Sequence, residues 1–434
     1  MTLNLQNFFK TKGKMSKMGD FQALSQIKGL QISAVSADLY SNGRDDVCLF
    51  YFKDGANYAS LYTTNSITSE SIYWNRKIKK NFCKALLVNT KNANTFTGVQ
   101  GFDSLQELSE SLSKYLTLRE SQSEDGVKET VKTNEILFAS TGVIGEKFPV
   151  QKIKESFPLM VKKLKPEHNK FIWFKAASAI MTTDTKPKLA YEECEIGSKT
   201  VKICAIAKGS GMIAPNLATM LSFIFTDADI PSVILKALLK KAVANSFNAI
   251  TVDSDTSTND MVSIFATKKV KIGKVYNILD PKLKKFEIAL KKLSLNLAKQ
   301  VVIDGEGAKK FVTVKLLNAK SLQAAKKIAF SIANSPLFKT AIAGEDPNWG
   351  RIIMGIGKSE EKIDIDKIII KIGDFLVAEN GKISDNYDEA KLKEYMKWDS
   401  IKVEVNLNQG SHTFECYTCD FTHDYIDINA DYRN

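Results

Sequence analysis

Short apolar runs rich in β-branched and aromatic residues recur along the chain and are broken by polar turns. Those at 47–52, 85–89, 136–140, 199–207, 220–226, 262–267, 363–372 and 401–406 predict strands. Runs at 150–164, 231–247, 281–299 and 322–333 predict helices, and Asp229-Ile-Pro231 supplies an acid-then-proline helix start. Strand and helix patterns alternate throughout, with no internal repeat and no low-complexity linker. The class that follows is mixed α/β (α+β), with helices covering packed β-sheets. The polar stretch 120–133 reads as an exposed loop or insertion.

Composition narrows the function classes. A chain of 434 residues is long enough for two or three sub-domains and a substantial core. No apolar run approaches the 18 or more residues of a membrane span, so no membrane role is expected. The net charge of +12 raises nucleic acid as a partner. The lysines are scattered through helical stretches such as 281–299, among acids and apolar residues, and no aromatic-interleaved basic block occurs, so the charge reads as a solvated surface and no nucleic-acid partner is expected. The six cysteines show no framework spacing, which fits a reducing compartment. Cys416-Tyr-Thr-Cys419 matches C-x-x-C, but strand alternation puts the two thiols on opposite faces and no second pair exists, so no metal is expected. Residues 1–19 carry four lysines and no acid, without the apolar core of a signal peptide and without the arginines of a mitochondrial leader. The expected location is the cytoplasm, with the mitochondrial matrix the lesser alternative.

One threonine stands out chemically. Thr219 closes the run Lys208-Gly-Ser-Gly-Met-Ile-Ala-Pro-Asn-Leu-Ala-Thr219, a Gly-rich turn that leads directly into an apolar strand. Such an arrangement suits a chain that cuts itself before the threonine and then uses the freed residue as a nucleophile. An α-amine has a pKa of about 7.7–8.0, against roughly 10.4 for lysine, so it can serve as base for the hydroxyl on the same residue. Loop punctuation before an ordinary strand would look similar at this one site.

Five further segments carry candidate chemistry. Ser140-Thr-Gly-Val-Ile-Gly145 ends a strand, and the Thr141 hydroxyl with the Gly142 amide could point at a developing oxyanion. Met181-Thr-Thr-Asp-Thr185 offers several hydroxyls to a small polar ligand. Thr251-Val-Asp-Ser-Asp-Thr-Ser-Thr-Asn-Asp260 fails as a calcium loop, because its sixth position is Thr258 and its twelfth Ile264 when counted from Asp253; it reads instead as a hydrogen-bonded loop lining or supporting a site. Gly344-Glu-Asp-Pro-Asn-Trp-Gly-Arg351 offers Glu345 to a substrate ammonium. The polar end Asn429-Ala-Asp-Tyr-Arg-Asn434 could fold back on a pocket. No G-x-S-x-G, dinucleotide fingerprint, Walker loop or H-E-x-x-H motif is present.

Taken together, STGVIG, MTTDT, KGSGMIAPNLATML, TVDSDTSTND, GEDPNWGR and NADYR resemble the glutamate N-acetyltransferase / ornithine acetyltransferase family of arginine biosynthesis. The resemblance runs from about residue 140 to the end and is looser before 130. It implies self-cleavage between Ala218 and Thr219, giving an α chain 1–218 and a β chain 219–434. It makes Thr219 the acetyl-carrying nucleophile and Thr141 with Gly142 the oxyanion pair. It puts substrate contacts on Thr182, Lys208, Thr219, Glu345, Asn429 and Asn434. The implied reaction is ping-pong: N-acetylornithine acetylates Thr219, ornithine leaves, and glutamate departs as N-acetylglutamate. No cofactor is implied. The family includes members that also accept acetyl-CoA as a co-substrate and members that only recycle the acetyl group. A heterotetramer of two α and two β chains is expected by the same analogy.

Two positions depart from the family pattern: Asn434 stands where Thr or Ser is usual, and Ser254 where glycine is usual. The rival enzyme reading is a related self-processing aminopeptidase or amidohydrolase that passes its acyl group to water. The rival non-enzymatic reading is a basic nucleic-acid-binding protein.

Overall fold

The computed structural model describes residues 24–122, 130–165, 170–214 and 220–431. Eight strands form the larger sheet: β1 (Leu30–Val35), β2 (Val47–Tyr62), β3 (Phe82–Asn89), β4 (Ile136–Ser140), β5 (Lys188–Ile196), β6 (Lys199–Lys208), β7 (Leu221–Ala228) and β8 (Met261–Val270). Their order is β4-β3-β2-β8-β7-β6-β5, with β1 on β2. The pairs β3/β4 and β7/β8 are parallel and the rest antiparallel.

One long strand turns this single sheet into two packed layers. The first half of β2 pairs with β1 through Val47–Phe52, and its second half pairs with β8 through Asn57–Tyr62. A register shift between Tyr51 and Ala56 separates the halves. Side chains alternate along the strand, so Cys48, Phe50 and Phe52 face inward onto β7 and β8. There Phe50 stacks on Phe225 with ring centroids 4.8 Å apart, and Phe52 on Phe265 at 5.2 Å.

The outer faces are covered by helices, as the apolar patterning requires. On the β1–β4 side, α1 (Glu70–Lys77), α2 (Val99–Ser121) and α3 (Val150–Lys163) cover the sheet, with Leu105, Leu108, Leu112, Ile153 and Phe157 packing onto Val47, Leu49 and Tyr51. At the mouth between the layers, α4 (Lys170–Ala179) inserts Trp173 against Phe225 at 5.5 Å. On the other side, α5 (Ser232–Ala244) and α6 (Lys284–Ile303) bury Leu235, Leu238, Leu290, Leu293 and Leu297 against Ile224, Val262 and Ile264.

The remaining chain builds a smaller sheet from β9 (Phe311–Ala319), β10 (Ile369–Ile372), β11 (Phe375–Glu379), β12 (Lys382–Ile383), β13 (Ser400–Asn406) and β14 (His412–Cys419), in the order β12-β11-β10-β13-β9-β14. Helices α7 (Leu322–Ala333), α8 (Pro336–Ala343), α9 (Gly350–Gly357) and α10 (Glu389–Met396) accompany it, and α11 (His423–Ala430) follows β14. Both modules share one core, because Tyr417 and Cys419 of β14 pack with the α6 leucines while Cys416 faces the smaller sheet's own core. The opposite-face expectation for the two cysteines is therefore met, and all six cysteines are free.

Several expected elements change length. The run at 363–372 is a strand only over Ile369–Ile372, preceded by a 3-10 turn at Ile365–Lys367. The helix expected over 281–299 divides into a 3-10 turn, Pro281–Leu283, and α6, which runs on to Ile303. The polar stretch at 120–133 begins as the last turn of α2, and its middle, 123–129, lies outside the described residues. No described helix is long and apolar enough to cross a membrane.

Candidate active site

The loop from Lys208 to Met220 joins β6 to β7, and both of its ends are fixed. Lys208 pairs with Leu221 in the antiparallel ladder, and Met220 O accepts from Met261 N at 3.0 Å. The cleavage pair Ala218 and Thr219 lies outside the described residues, as does Asn434. The flanks nevertheless locate the segment along the chain: Thr219 is bonded directly to the buried Met220 at the start of β7, in the middle of the larger sheet.

Three sets of contacts converge on this loop, and a fourth ties the Thr141–Gly142 segment to the residues just before β8. The first comes from the 181–185 turn. Lys208 Nζ donates to Thr182 Oγ1 at 3.2 Å, Gly209 N donates to Asp184 Oδ1 at 2.7 Å, and the Thr183 and Ser210 hydroxyls meet at 2.8 Å. Lys208 is buried, and burial pushes its pKa below the ordinary lysine value against the pull of Asp184, Asp260 and Glu306.

The second set comes from the turn after α6. Glu306 N donates to Ser210 O at 3.0 Å. The Glu306 carboxylate lies close against Gly211, where a Cβ would sit 2.2 Å from Oε2. Asn429 Nδ2 on α11 donates to Glu306 Oε2 at 2.7 Å. Polar-terminus folding is thus realised for Asn429, although through a helix rather than a tail.

The third set is the 251–260 loop. Asp253 accepts from Met212 N at 2.6 Å, from Ile213 N at 2.8 Å and from the Tyr425 hydroxyl at 3.2 Å. Burial raises the Asp253 carboxyl to about 6 in spite of the Met212, Asp255 and Ile213 amides, with Asp255 adding to the rise. The departure at Ser254 has a visible cost, since its φ of 66° is in the left-handed region that favours glycine. Asp260 is buried, and neither of its carboxylate oxygens makes a hydrogen bond of normal geometry to another described residue. Burial pushes its carboxyl well above the ordinary range, with Lys208 and the Met220 amide pulling the other way.

The fourth set carries Thr141 and Gly142. Thr141 N donates to Asn89 O at 3.1 Å, and Ser140 O accepts from Asn259 Nδ2 at 2.8 Å. Gly142 has φ +134°, and a Cβ on it would stand 2.1 Å from the Lys91 carbonyl carbon. No hydrogen bond among the described residues engages the Thr141 hydroxyl.

Thr182, Lys208 and Asn429 are therefore gathered at the N-terminal flank of the Thr219 segment, and the Thr141–Gly142 loop is tied to the start of β8, whose Met261 bonds the other flank at Met220. Glu345 sits just after α8 with φ 57°, its carboxylate paired with Lys310 Nζ at 3.0 Å, and none of its described contacts reaches Lys208, Thr182 or Asn429. The glutamate whose carboxylate does meet this loop, beside Asp184 and Asp253, is Glu306. Its sequence signal, Asp304-Gly-Glu-Gly307, is a short acid-and-glycine turn at a helix end, and periodicity gives no reason to single it out.

A family model described as the ArgJ family matches residues 31–434. The chain belongs to the ArgJ family. The arginine biosynthesis bifunctional protein ArgJ of Gluconobacter oxydans (strain 621H) is 43% identical over 412 residues, covering 95% of this chain and 93% of that protein. The protein of the same name from Rhizobium meliloti (strain 1021) is 41% identical over 418 residues, covering 95% and 97%. A solved arginine biosynthesis bifunctional protein argJ from Bacillus halodurans is 38% identical, covers 48% of this chain and 97% of its own, and has a TM-score of 0.46. As an ArgJ family member the chain is an acyltransferase of arginine biosynthesis, a glutamate N-acetyltransferase, and the aminopeptidase and nucleic-acid-binding readings fall away.

Proposed function

We propose that the chain cuts itself between Ala218 and Thr219 and that Thr219 then carries acetyl from N-acetylornithine to glutamate. The freed α-amine takes the hydroxyl proton as Thr219 Oγ attacks the acetyl carbonyl. The Thr141 hydroxyl and the Gly142 amide stabilise the oxyanion. The amide C–N bond breaks and ornithine leaves with the proton; the neutral glutamate amine then attacks the acetyl-threonine ester, the acyl C–O bond breaks, the amine's proton passes by way of the α-amine to Thr219 Oγ, and N-acetylglutamate leaves.

Lys208, with Thr182, holds the substrate carboxylate. Glu306, held by Asn429, faces the substrate ammonium in the role the sequence offered to Glu345. One observation carries this assignment: a cation at Lys208 and an anion at Glu306 are anchored to the same loop, at Lys208–Ser210 and at Ser210–Gly211. A zwitterionic amino acid needs that pair of opposite charges. Asn434 is proposed to close the same site from the end of the chain.

The acyl group passes between an amide and an ester of the protein's own threonine, so the reaction as proposed uses no metal or cofactor. The relatives are named bifunctional, and we extend the reading to acetyl-CoA as a second acetyl donor. The chains 1–218 and 219–434 are proposed to assemble as a heterotetramer of two α and two β chains in the cytoplasm.

Intact-mass spectrometry under denaturing conditions tests the central step. The expected result is two species, one beginning at Thr219, and a single inactive species for Thr219→Ala. An active wild-type protein that remains one uncut chain would overturn it.

A further inference from the structure

We propose that Asn259 is a positioning residue for the oxyanion-binding loop, setting Thr141 and Gly142 against the start of β7. The proposal rests on the reading of those two residues as oxyanion donors. Asn259 is buried, and all four hydrogen-bonding positions of its side-chain amide are filled. Nδ2 donates to Ala93 O at 2.6 Å and to Ser140 O at 2.8 Å, while Oδ1 accepts from Thr95 Oγ1 at 2.8 Å and from Thr258 Oγ1 at 2.6 Å. Reversing the amide would set its oxygen against two carbonyl oxygens, so its orientation is determined by its partners.

The Ser140 carbonyl belongs to the same peptide unit as Thr141 N, which donates to Asn89 O at 3.1 Å. That peptide plane is therefore gripped on both edges, and the next unit carries Gly142 N–H. The loop cannot recoil toward β3, because Gly142 already touches the Lys91 backbone. Asn89 and Lys91 fix the loop only relative to its own neighbours in the β3–β4 half of the sheet. Asn259 stands two residues before Met261, the first residue of β8, which is the strand paired in parallel with β7, and Met261 N is bonded to Met220 O. It consequently fixes the oxyanion donors relative to the residue that follows Thr219. Because Ala93 and Ser140 precede the proposed scission and Asn259 follows it, these two bonds join the α and β chains once the cut is made.

Asn259→Asp keeps shape and acceptor but sets an oxygen against two carbonyl oxygens. The test compares wild type, Asn259→Asp, Thr141→Ala and the double variant as full-length chains, with acetyl transfer normalised to the cleaved fraction measured by intact mass. A positioning role predicts a kcat about 10–100-fold lower for Asn259→Asp with KM changed less than about twofold, and little further loss when it is added to Thr141→Ala. If the two losses instead multiply, or if Asn259→Asp retains wild-type kcat while Thr141→Ala does not, the proposal is overturned. If Thr141→Ala itself has no effect, the oxyanion reading fails first and separately. Thr95→Val, which removes one hydroxyl that orients the Asn259 amide, supplies the same comparison where Asn259→Asp does not fold. Where either variant leaves too little cleaved protein, the half-time of self-cleavage takes the place of kcat in the same four-way comparison.

Discussion

The amide of Gly209 donates to Oδ1 of Asp184 at 2.7 Å, and the same oxygen accepts from Lys188 Nζ at 2.6 Å. One buried carboxylate thus holds the residue after Lys208 while itself being neutralised from the first residue of β5. Lys188 also donates to Asp304 Oδ2 at 2.6 Å, and Asp304 accepts from Thr185 N at 3.0 Å. The triad lies beneath the site and links the 181–185 turn, the Lys208 loop and the turn that carries Glu306.

Lys188→Met is expected to destabilise the protein by about 3–5 kcal/mol, because removing the shared cation leaves two buried carboxylates uncompensated. Burial alone would raise the Asp184 carboxyl, but the Lys188 and Lys208 ammonium groups outweigh it and hold it well below the usual range. A carboxyl lowered in the folded state contributes stability above its unfolded pKa and loses it as pH falls. Wild type should therefore lose stability below about pH 4, and that acid limb should shrink in Lys188→Met. Urea denaturation across pH 2–7 measures both effects, and an unchanged midpoint at pH 7 would count against the triad's role.

Glu306 and Glu345 can be separated by kinetics. Glu306→Gln keeps a side-chain oxygen for Asn429 Nδ2 and removes the charge, and a lost hydrogen bond to a charged group is worth about 1.5–3 kcal/mol. KM for N-acetylornithine and for glutamate should rise about 10–100-fold. Glu345→Gln should alter neither by more than about twofold, since its carboxylate is paired with the buried Lys310 and makes no described contact with the Lys208 loop. The reverse ranking in steady-state assays would return the role to Glu345.

Asp253 predicts a pH effect of the opposite sign. Its folded carboxyl is raised to about 6 from 3.8, so its contribution is present below the unfolded value and lost as pH rises through 6. Relative to wild type, Asp253→Asn should gain in Tm as pH is raised from 4 to 6. Its Tm at pH 4 should be the lower, because Met212 N and Ile213 N share a single acceptor there. Differential scanning at four or five pH values reads the slope, and a difference that does not change with pH would rule out Asp253 as its source.

Much of this protein was legible along the chain. The patterning at 136–140, 150–164 and 322–333 matches β4, α3 and α7 within a residue, because alternation and helical spacing are local properties of a half-buried surface. The six motifs, Thr219 among them, mark the family, since each keeps residue types that chemistry needs at fixed spacing. Strands β1 and β9 and helices α2, α8 and α11 were not singled out, being short or masked by polar neighbours. Tertiary structure alone decided which of two glutamates meets the Lys208 loop. Glu345 and Glu306 are both acids in glycine-containing turns, and nothing local distinguishes them. The ladder between β6 and β7 and the packing of α11 bring Gly211 and Asn429 onto Glu306, while α8 turns Glu345 toward Lys310. Sequence determines which groups exist and which surfaces must be buried; the three-dimensional path of the chain determines which of those groups share a dielectric and a hydrogen bond.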